Sequence, residues 1–295
     1  VIKTEPSRAA LEWAAEAAGV PGSGWAVSRL LGGAHAATHL LRAERGGGEL
    51  VLRRFPAGDG AAAYEARVLR ALDGLGGWAP RLVAADPDGA RVGGPAVLIS
   101  RLPGRADLST APAHTAAQAL GRALARVHAV PTERLAGVLR DGMAAGSRPL
   151  TADAGPGAPV LAAHGDRLAR QQPVLTHFDF WSGNVLWQDG ELTGVVDWSG
   201  ASLAPRGFDV SWCRLDLALL HGPAAAEAFL TAYREAAGTV VADLALWDVF
   251  ALTNAYHRVE SWLPNYHELG RTDLTAVELR RRHTAWTAAT LERTR

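Results

Sequence analysis

The sequence predicts an α+β fold in which a small, sheet-rich N-terminal lobe precedes a larger, mainly helical C-terminal lobe. Two observations carry this. Before residue 100 the apolar runs are short, strand-like and separated by glycine turns, whereas after it apolar residues recur at helical spacing over long stretches. A third observation is the break between them, where RLPGRADLSTAP (101–112) has the composition of a linker. The expected lobes are therefore 1–99 and 100–295.

The elements follow in order. Leu11, Ala14, Ala15 and Ala18 share a helical face in the stretch ending at Val20. Residues 27–31 read as a strand, followed by the glycine turn LGGAHAATH (31–39) and a run ending in ELVLRRF (49–55). The two runs flank the turn like the strands of a hairpin. Asp59-Gly60 starts the helix AAAYEARVLRALDGL, with Tyr64, Val68, Leu69 and Leu72 on one face. RLVAAD (81–86) and PAVLIS (95–100) are further strands, separated by the turn residues PDGARVGG. Past the linker, AAQALGRALARVHAV (116–130) is a helix that packs Leu120, Leu124 and Val127. The Gly-, Pro- and Ala-rich segment 131–172 combines a short helix with loops, and everything beyond Arg206 reads as helical. No internal repeat interrupts this plan.

Composition excludes several function classes. Lys+Arg and Asp+Glu are both 30, so no global field steers the chain to nucleic acid or anionic membrane, and any preference for a charged ligand must be local. The apolar runs are too short to span a bilayer, and the N-terminal VIKTEPSRAALEW has no apolar signal core. The lone cysteine, Cys213, excludes an internal disulfide framework and fits a reducing cytoplasm; flanked by tryptophan in a helix, it reads as core. The only lysine is Lys3, so a phosphate clamp within the fold must be arginine.

The most informative segment is VLTHFDFWSGNVLWQDGELTGVVDW (174–198). His177 and Asp179 are followed by Asn184 and an apolar strand; Asp189-Gly190 is a hairpin turn, and the chain returns along LTGVVDW to Asp197. With a two-residue loop, Asn184 and Val195 face each other and Asp197 lies just past the open end, near Asn184 and the loop carrying Asp179. Two carboxylates and an amide gathered there are hard oxygen ligands suited to magnesium. One carboxylate remains to orient and deprotonate an attacking hydroxyl, the division of labour that kinases need.

HFDFWSGN resembles the HxDxxxxN catalytic loop of the protein-kinase-like fold, and VVDW with the following APRGFDVSW is similar to the aminoglycoside phosphotransferase and choline kinase group. The resemblance extends over about residues 25–260, and its specific part is 174–212. It implies a two-lobed protein-kinase-like fold with Asp179 as catalytic base and Asn184 and Asp197 as Mg2+ ligands. His177 and Asp209 would hold the catalytic loop by hydrogen bonds. It also implies a phosphotransferase with an alcohol acceptor, moving the γ-phosphate of ATP or GTP to an aminoglycoside-like antibiotic. A macrolide, choline, homoserine or sugar kinase of the same fold, or a catalytically silent nucleotide-binding module, are the alternatives. The compact APRGFD connection is unlike the long activation segment of protein kinases.

On the nucleotide side, the resemblance places the phosphate-covering loop at Gly32 and Gly33, whose backbone N–H groups can approach closely. Val51 would cover the adenine while Arg53, on the same strand face, clamps phosphates. Glu65 on the next helix is the expected partner of Arg53, and the backbone of Ser100 and Leu102 would hold the base.

Other signals are weaker. His164-Gly165-Asp166 also spells HxD, but Gln171 stands where the asparagine belongs, so it reads as a helical surface segment. His35 and His39 have i, i+4 spacing without an intervening glutamate or third ligand, and read as loop histidines without metal. From 240 to 273, Asp243, Asp248, Glu260, Glu268 and Asp273 outnumber Arg258 and Arg271, an acid excess that suits a cationic acceptor. Trp247, Tyr256, Trp262 and Tyr266 in the same stretch would equally suit a bulkier, less charged one.

Overall fold

The computed structural model describes residues 5–20, 22, 24–30, 36–44, 48–109, 112–146 and 155–294. The chain divides into two compact units, Val1–Arg105 with Thr193–Ser199, and Ala106–Leu192 with Gly200–Arg295.

The first unit contains α1 (Arg8–Ala17), β1 (Trp25–Arg29), β2 (Ala37–Ala43), β3 (Glu49–Arg54), α2 (Ala61–Leu72), β4 (Leu82–Asp86) and β5 (Ala96–Ser100). The strands form an antiparallel sheet in the order β1-β2-β3-β5-β4. β3 is central, and Arg53 stands opposite Thr38 on β2 and Val97 on β5. Here the structure differs from the predicted hairpin. Ala37–His39 is not part of the turn but begins β2, paired along both edges, and the run to residue 55 is two strands. His39 misleads because a polar side chain in a glycine-rich stretch resembles a loop residue; it is buried, at 2% exposure.

Helix α1 is capped by Ser7, whose Oγ accepts from the Ala10 N–H at 3.2 Å. It packs Ala10, Trp13 and Ala14 against Leu41, Leu52, Val92, Ala96 and Leu98. Burying a leucine such as Leu52 contributes about 1.5–3 kcal/mol. Helix α2 starts where Asp59 Oδ1 accepts from the Ala61 N–H at 2.8 Å, and packs against β4 and β5. Its buried face holds Val68, Leu69 and Leu72 together with Glu65, while Tyr64 is only half-buried.

The second unit, with the hairpin that runs into the first, contains α3 (Ala113–His128), α4 (Gly142–Gly146), α5 (Ala158–His164), α6 (Asp166–Ala169), β6 (Pro173–Thr176), β7 (Val185–Gln188), β8 (Glu191–Val195), β9 (Ser202–Pro205), α7 (Gly207–His221), α8 (Pro223–Ala237), α9 (Leu244–Ala255), α10 (Leu263–Glu268) and α11 (Ala276–Glu292). Helix α3 packs closely on α8: a Cβ at Gly121 would lie 2.4 Å from the Phe229 carbonyl oxygen. Thr275 caps α11, its hydroxyl accepting from the Glu278 N–H at 3.1 Å. β7 and β8 form a two-stranded ribbon joined through Asp189 (φ 53°) and Gly190 (φ 83°), the left-handed pair that an Asp-Gly hairpin turn requires. The antiparallel pair β6 and β9, with Thr176 opposite Ser202, is absent from the sequence prediction, since four-residue strands are too short to show a period. His164 and Asp166 are exposed at the junction of α5 and α6. Among the described residues, no helix is long and apolar enough to cross a membrane.

Candidate active site

In the first unit the site residues gather around Arg53. From the centre of the sheet its Nη1 donates to Glu65 Oε1 at 2.6 Å, and its Nη2 donates to Asp197 Oδ1 at 2.8 Å. Arg53 is 5% exposed and Glu65 1%. Burial alone draws the guanidinium pKa down, but attraction to Asp197 and Glu65 outweighs it, and the net shift is upward. Burial pushes the Glu65 carboxyl up, against the pull of Arg53. Asp197 sits in left-handed backbone (φ 64°), where a non-glycine residue is strained, and Ser199 Oγ donates to its Oδ1 at 2.7 Å. Its strand is anchored by the Val195 N–H, which donates to the Trp78 carbonyl at 2.8 Å.

The other predicted residues of this unit lie around the same sheet. Val51 is buried on β3. The Ser100 N–H donates to the Arg81 carbonyl at 2.9 Å, and the Leu102 carbonyl accepts from Arg101. Gly32 and Gly33 lie outside the described residues, as does His35.

In the second unit, β6 delivers the chain into the loop 177–184. Asp209, fully buried on α7, accepts from the His177 N–H at 2.7 Å (Oδ2) and the Phe178 N–H at 2.9 Å (Oδ1). These bonds hold Phe178 at φ 71°, a conformation that costs about 1–3 kcal/mol in a non-glycine residue. The Phe178 ring stacks on Phe208 at 4.0 Å. The reversal presents the next residue, Asp179, to solvent. Asn184 Nδ2 donates to the Asp179 carbonyl at 2.9 Å and to its Oδ2 at 3.2 Å, while the Trp212 indole Nε1–H donates to Asp179 Oδ1 at 3.1 Å. Both carboxylate oxygens are thereby oriented, yet the group remains exposed.

Sequence reasoning missed three members of this arrangement. His128 on α3 places Nε2 3.3 Å from Asp209 Oδ2 and Nδ1 2.8 Å from the Tyr233 hydroxyl. A lone histidine in an apolar helix carries no local signal of such a role. Asp216 accepts from the Ser182 N–H (3.0 Å), the Ser182 hydroxyl (2.5 Å) and the Tyr266 hydroxyl (3.0 Å), pinning the far end of the loop. Trp212 is the third. Its spacing from Asp209 and Asp216, three and four residues, puts all three on one face of α7, a signal available in the sequence.

The residues present suit a nucleotide and a magnesium ion. Arg53 Nε is a buried donor without a protein partner, chemistry that a phosphate oxygen satisfies. Within the second unit Asn184 turns its amide nitrogen to Asp179, which leaves its Oδ1 as an oxygen suited to a hard cation; within the first, Asp197 is a carboxylate of the same chemistry.

The fold is similar to that of several solved enzymes. An aminoglycoside-3'-phosphotransferase of type VIII is 25% identical, with 80% of this chain and 94% of that one covered and a TM-score of 0.57. A macrolide 2'-phosphotransferase from Brachybacterium faecium, solved as apoenzyme, is 22% identical over 95% and 97%, with a TM-score of 0.58. A thermostable mutant of aminoglycoside phosphotransferase APH(4)-Ia, in ternary complex with ADP and hygromycin B, is 14% identical over 95% and 98%, with a TM-score of 0.63. The architecture is the protein-kinase-like α+β fold of these enzymes. Residues 26–247 match the phosphotransferase enzyme family, and with the arginine-centred sheet and the aspartate loop in place the chain belongs to that family, as a phosphotransferase with a hydroxyl acceptor.

Proposed function

We propose that the protein is a magnesium-dependent small-molecule kinase of the cytoplasm. It transfers the γ-phosphate of ATP or GTP to a hydroxyl of an antibiotic, aminoglycoside or macrolide, or of a related alcohol. The observation that carries this is the exposed Asp179 carboxylate, oriented at one oxygen by Asn184 and at the other by Trp212. Asp179 orients the acceptor hydroxyl and accepts its proton as the acceptor oxygen bonds to phosphorus and the bond to the nucleoside diphosphate breaks. Arg53 neutralises phosphate charge, held in place by Glu65. Asn184 and Asp197 are the proposed magnesium ligands, with Gly32 and Gly33 covering the phosphates and Val51, Ser100 and Leu102 lining the base. When bound, magnesium would be held by Asn184 and Asp197 and would offset the negative charge that develops during transfer.

The test is transfer from ATP and GTP, with magnesium, across aminoglycosides, macrolides, choline, homoserine and sugars. Asp179→Asn, which keeps the side-chain shape, lowers turnover by about 10²–10⁴-fold while leaving nucleotide binding intact. Near-normal turnover in that variant removes Asp179 from its role. Nucleotide binding without turnover of any acceptor favours a silent binding module.

A further inference from the structure

Four of the five acids in residues 240–273 meet arginine on folding. Asp243 pairs with Arg167, and Asp248, buried at 2% exposure, is held by Arg214 and Arg293. Glu260 accepts from Nε and Nη2 of Arg280 at 2.5 and 2.6 Å, and Asp273 from Nε and Nη2 of Arg271, each at 2.8 Å. Arg167, Arg214, Arg280 and Arg293 all come from outside the stretch, so counting charge along it overstates its acidity. Asp243, Asp248, Glu260 and Asp273 are committed to guanidinium partners and do not stand ready for the ammonium groups of a polycation.

Aromatic surface remains beside the base. The indole whose N–H holds Asp179, Trp212, is partly exposed, and it meets the partly exposed Trp262 edge to face, centroids 5.5 Å apart. A hydroxyl within hydrogen-bond reach of Asp179, about 2.6–3.2 Å, brings its carbon skeleton into contact range of the Trp212 ring. Indole faces bind apolar ring surfaces, and they accept a single cation without needing a carboxylate.

We propose that the acceptor is a neutral or singly charged glycoside with an apolar ring face, seated on Trp212 and Trp262, rather than a polycationic aminoglycoside. This rests on the kinase reading above. Trp262 acts on the acceptor alone. Trp212 is in addition a positioning residue for Asp179.

The experiment compares kcat and KM for erythromycin, a macrolide with one amine, and kanamycin, with several, at saturating nucleotide and magnesium. Erythromycin is the better substrate by kcat/KM. Trp262→Ala raises its KM about tenfold with little change in kcat, and Trp262→Phe restores most of the loss. Trp212→Phe keeps the ring but removes the N–H. It lowers kcat at unchanged KM, because the carboxylate that takes the hydroxyl proton is no longer held in place. Preference for kanamycin, or an erythromycin KM indifferent to Trp262→Ala, overturns the proposal and leaves the kinase reading standing. Transfer to neither overturns the proposal, and the loss of nucleotide binding as well takes the kinase reading with it.

Discussion

Arg53 serves two carboxylates from a buried position in the middle of a sheet, which makes its replacement costly in two separate ways. Arg53→Ala leaves Glu65, at 1% exposure, without its counter-charge, a situation that costs about 3–5 kcal/mol. The expected outcome is a clear fall in melting temperature together with weakened nucleotide binding. Arg53→Lys gives a smaller loss of both, since one ammonium cannot serve two carboxylates in the fork geometry of a guanidinium. Thermal melts and nucleotide titrations of the two variants check this; an alanine variant that melts like the parent contradicts it. At this scale the sequence is informative. The Arg53–Glu65 pair follows from a strand arginine and a helix glutamate, whereas the left-handed backbone of Phe178 and Asp197 leaves no trace in residue type.

Helix α7 is the element on which the loop 177–184 is built. Asp209 takes two consecutive N–H groups at its start, Trp212 reaches Asp179, and Asp216 pins Ser182. Asp216→Ala leaves the Ser182 and Tyr266 donors without an acceptor in a buried site, at about 1–3 kcal/mol for each unsatisfied group. The expected result is a melting temperature lowered by several degrees and a reduced kcat. An unchanged kcat in a variant that still folds would show that the far end of the loop need not be pinned. Asp209 is legible through the resemblance of its surroundings, but Asp216 is not, because a carboxylate on a helix ordinarily faces water.

For the whole molecule, histidines with lowered pKa values weaken the fold in mild acid, while Glu65, raised by burial, acts in the opposite direction. Burial, then Arg271 and Arg282, hold His221 at about 4, against an ordinary value near 6.5. His128 and His283 are likewise drawn down by burial. Below pH 6.5 the unfolded chain therefore binds more protons at these groups than the folded one, for His221 down to about 4, and their contribution to stability is lost as pH falls through that range. His221 is partly exposed, and after solvent screening its share is on the order of 1 kcal/mol. His221→Gln makes the melting temperature less dependent on pH across this range, measured by calorimetry; an unchanged slope removes His221 as a contributor. Asp273 and Glu278, each held near 2 by hydrogen bonds from arginine, affect stability only at lower pH, so the two windows are separable.

Local chemistry is what the sequence by itself determined. The helix start at Asp59, the Asp189-Gly190 turn, and the HFDFWSGN and VVDW strings depend on neighbours a few residues away, and spacing records such neighbours directly. Tertiary structure alone decided the contacts between distant positions. Arg53 meets Asp197 across 144 residues of sequence. Asp209 draws in His128 from 81 residues away. The arginines that pair with Asp243, Asp248 and Glu260 arrive from outside the acidic stretch. Charge and hydrogen bonding act through space, so a buried polar group declares its partner only once packing has brought the two together.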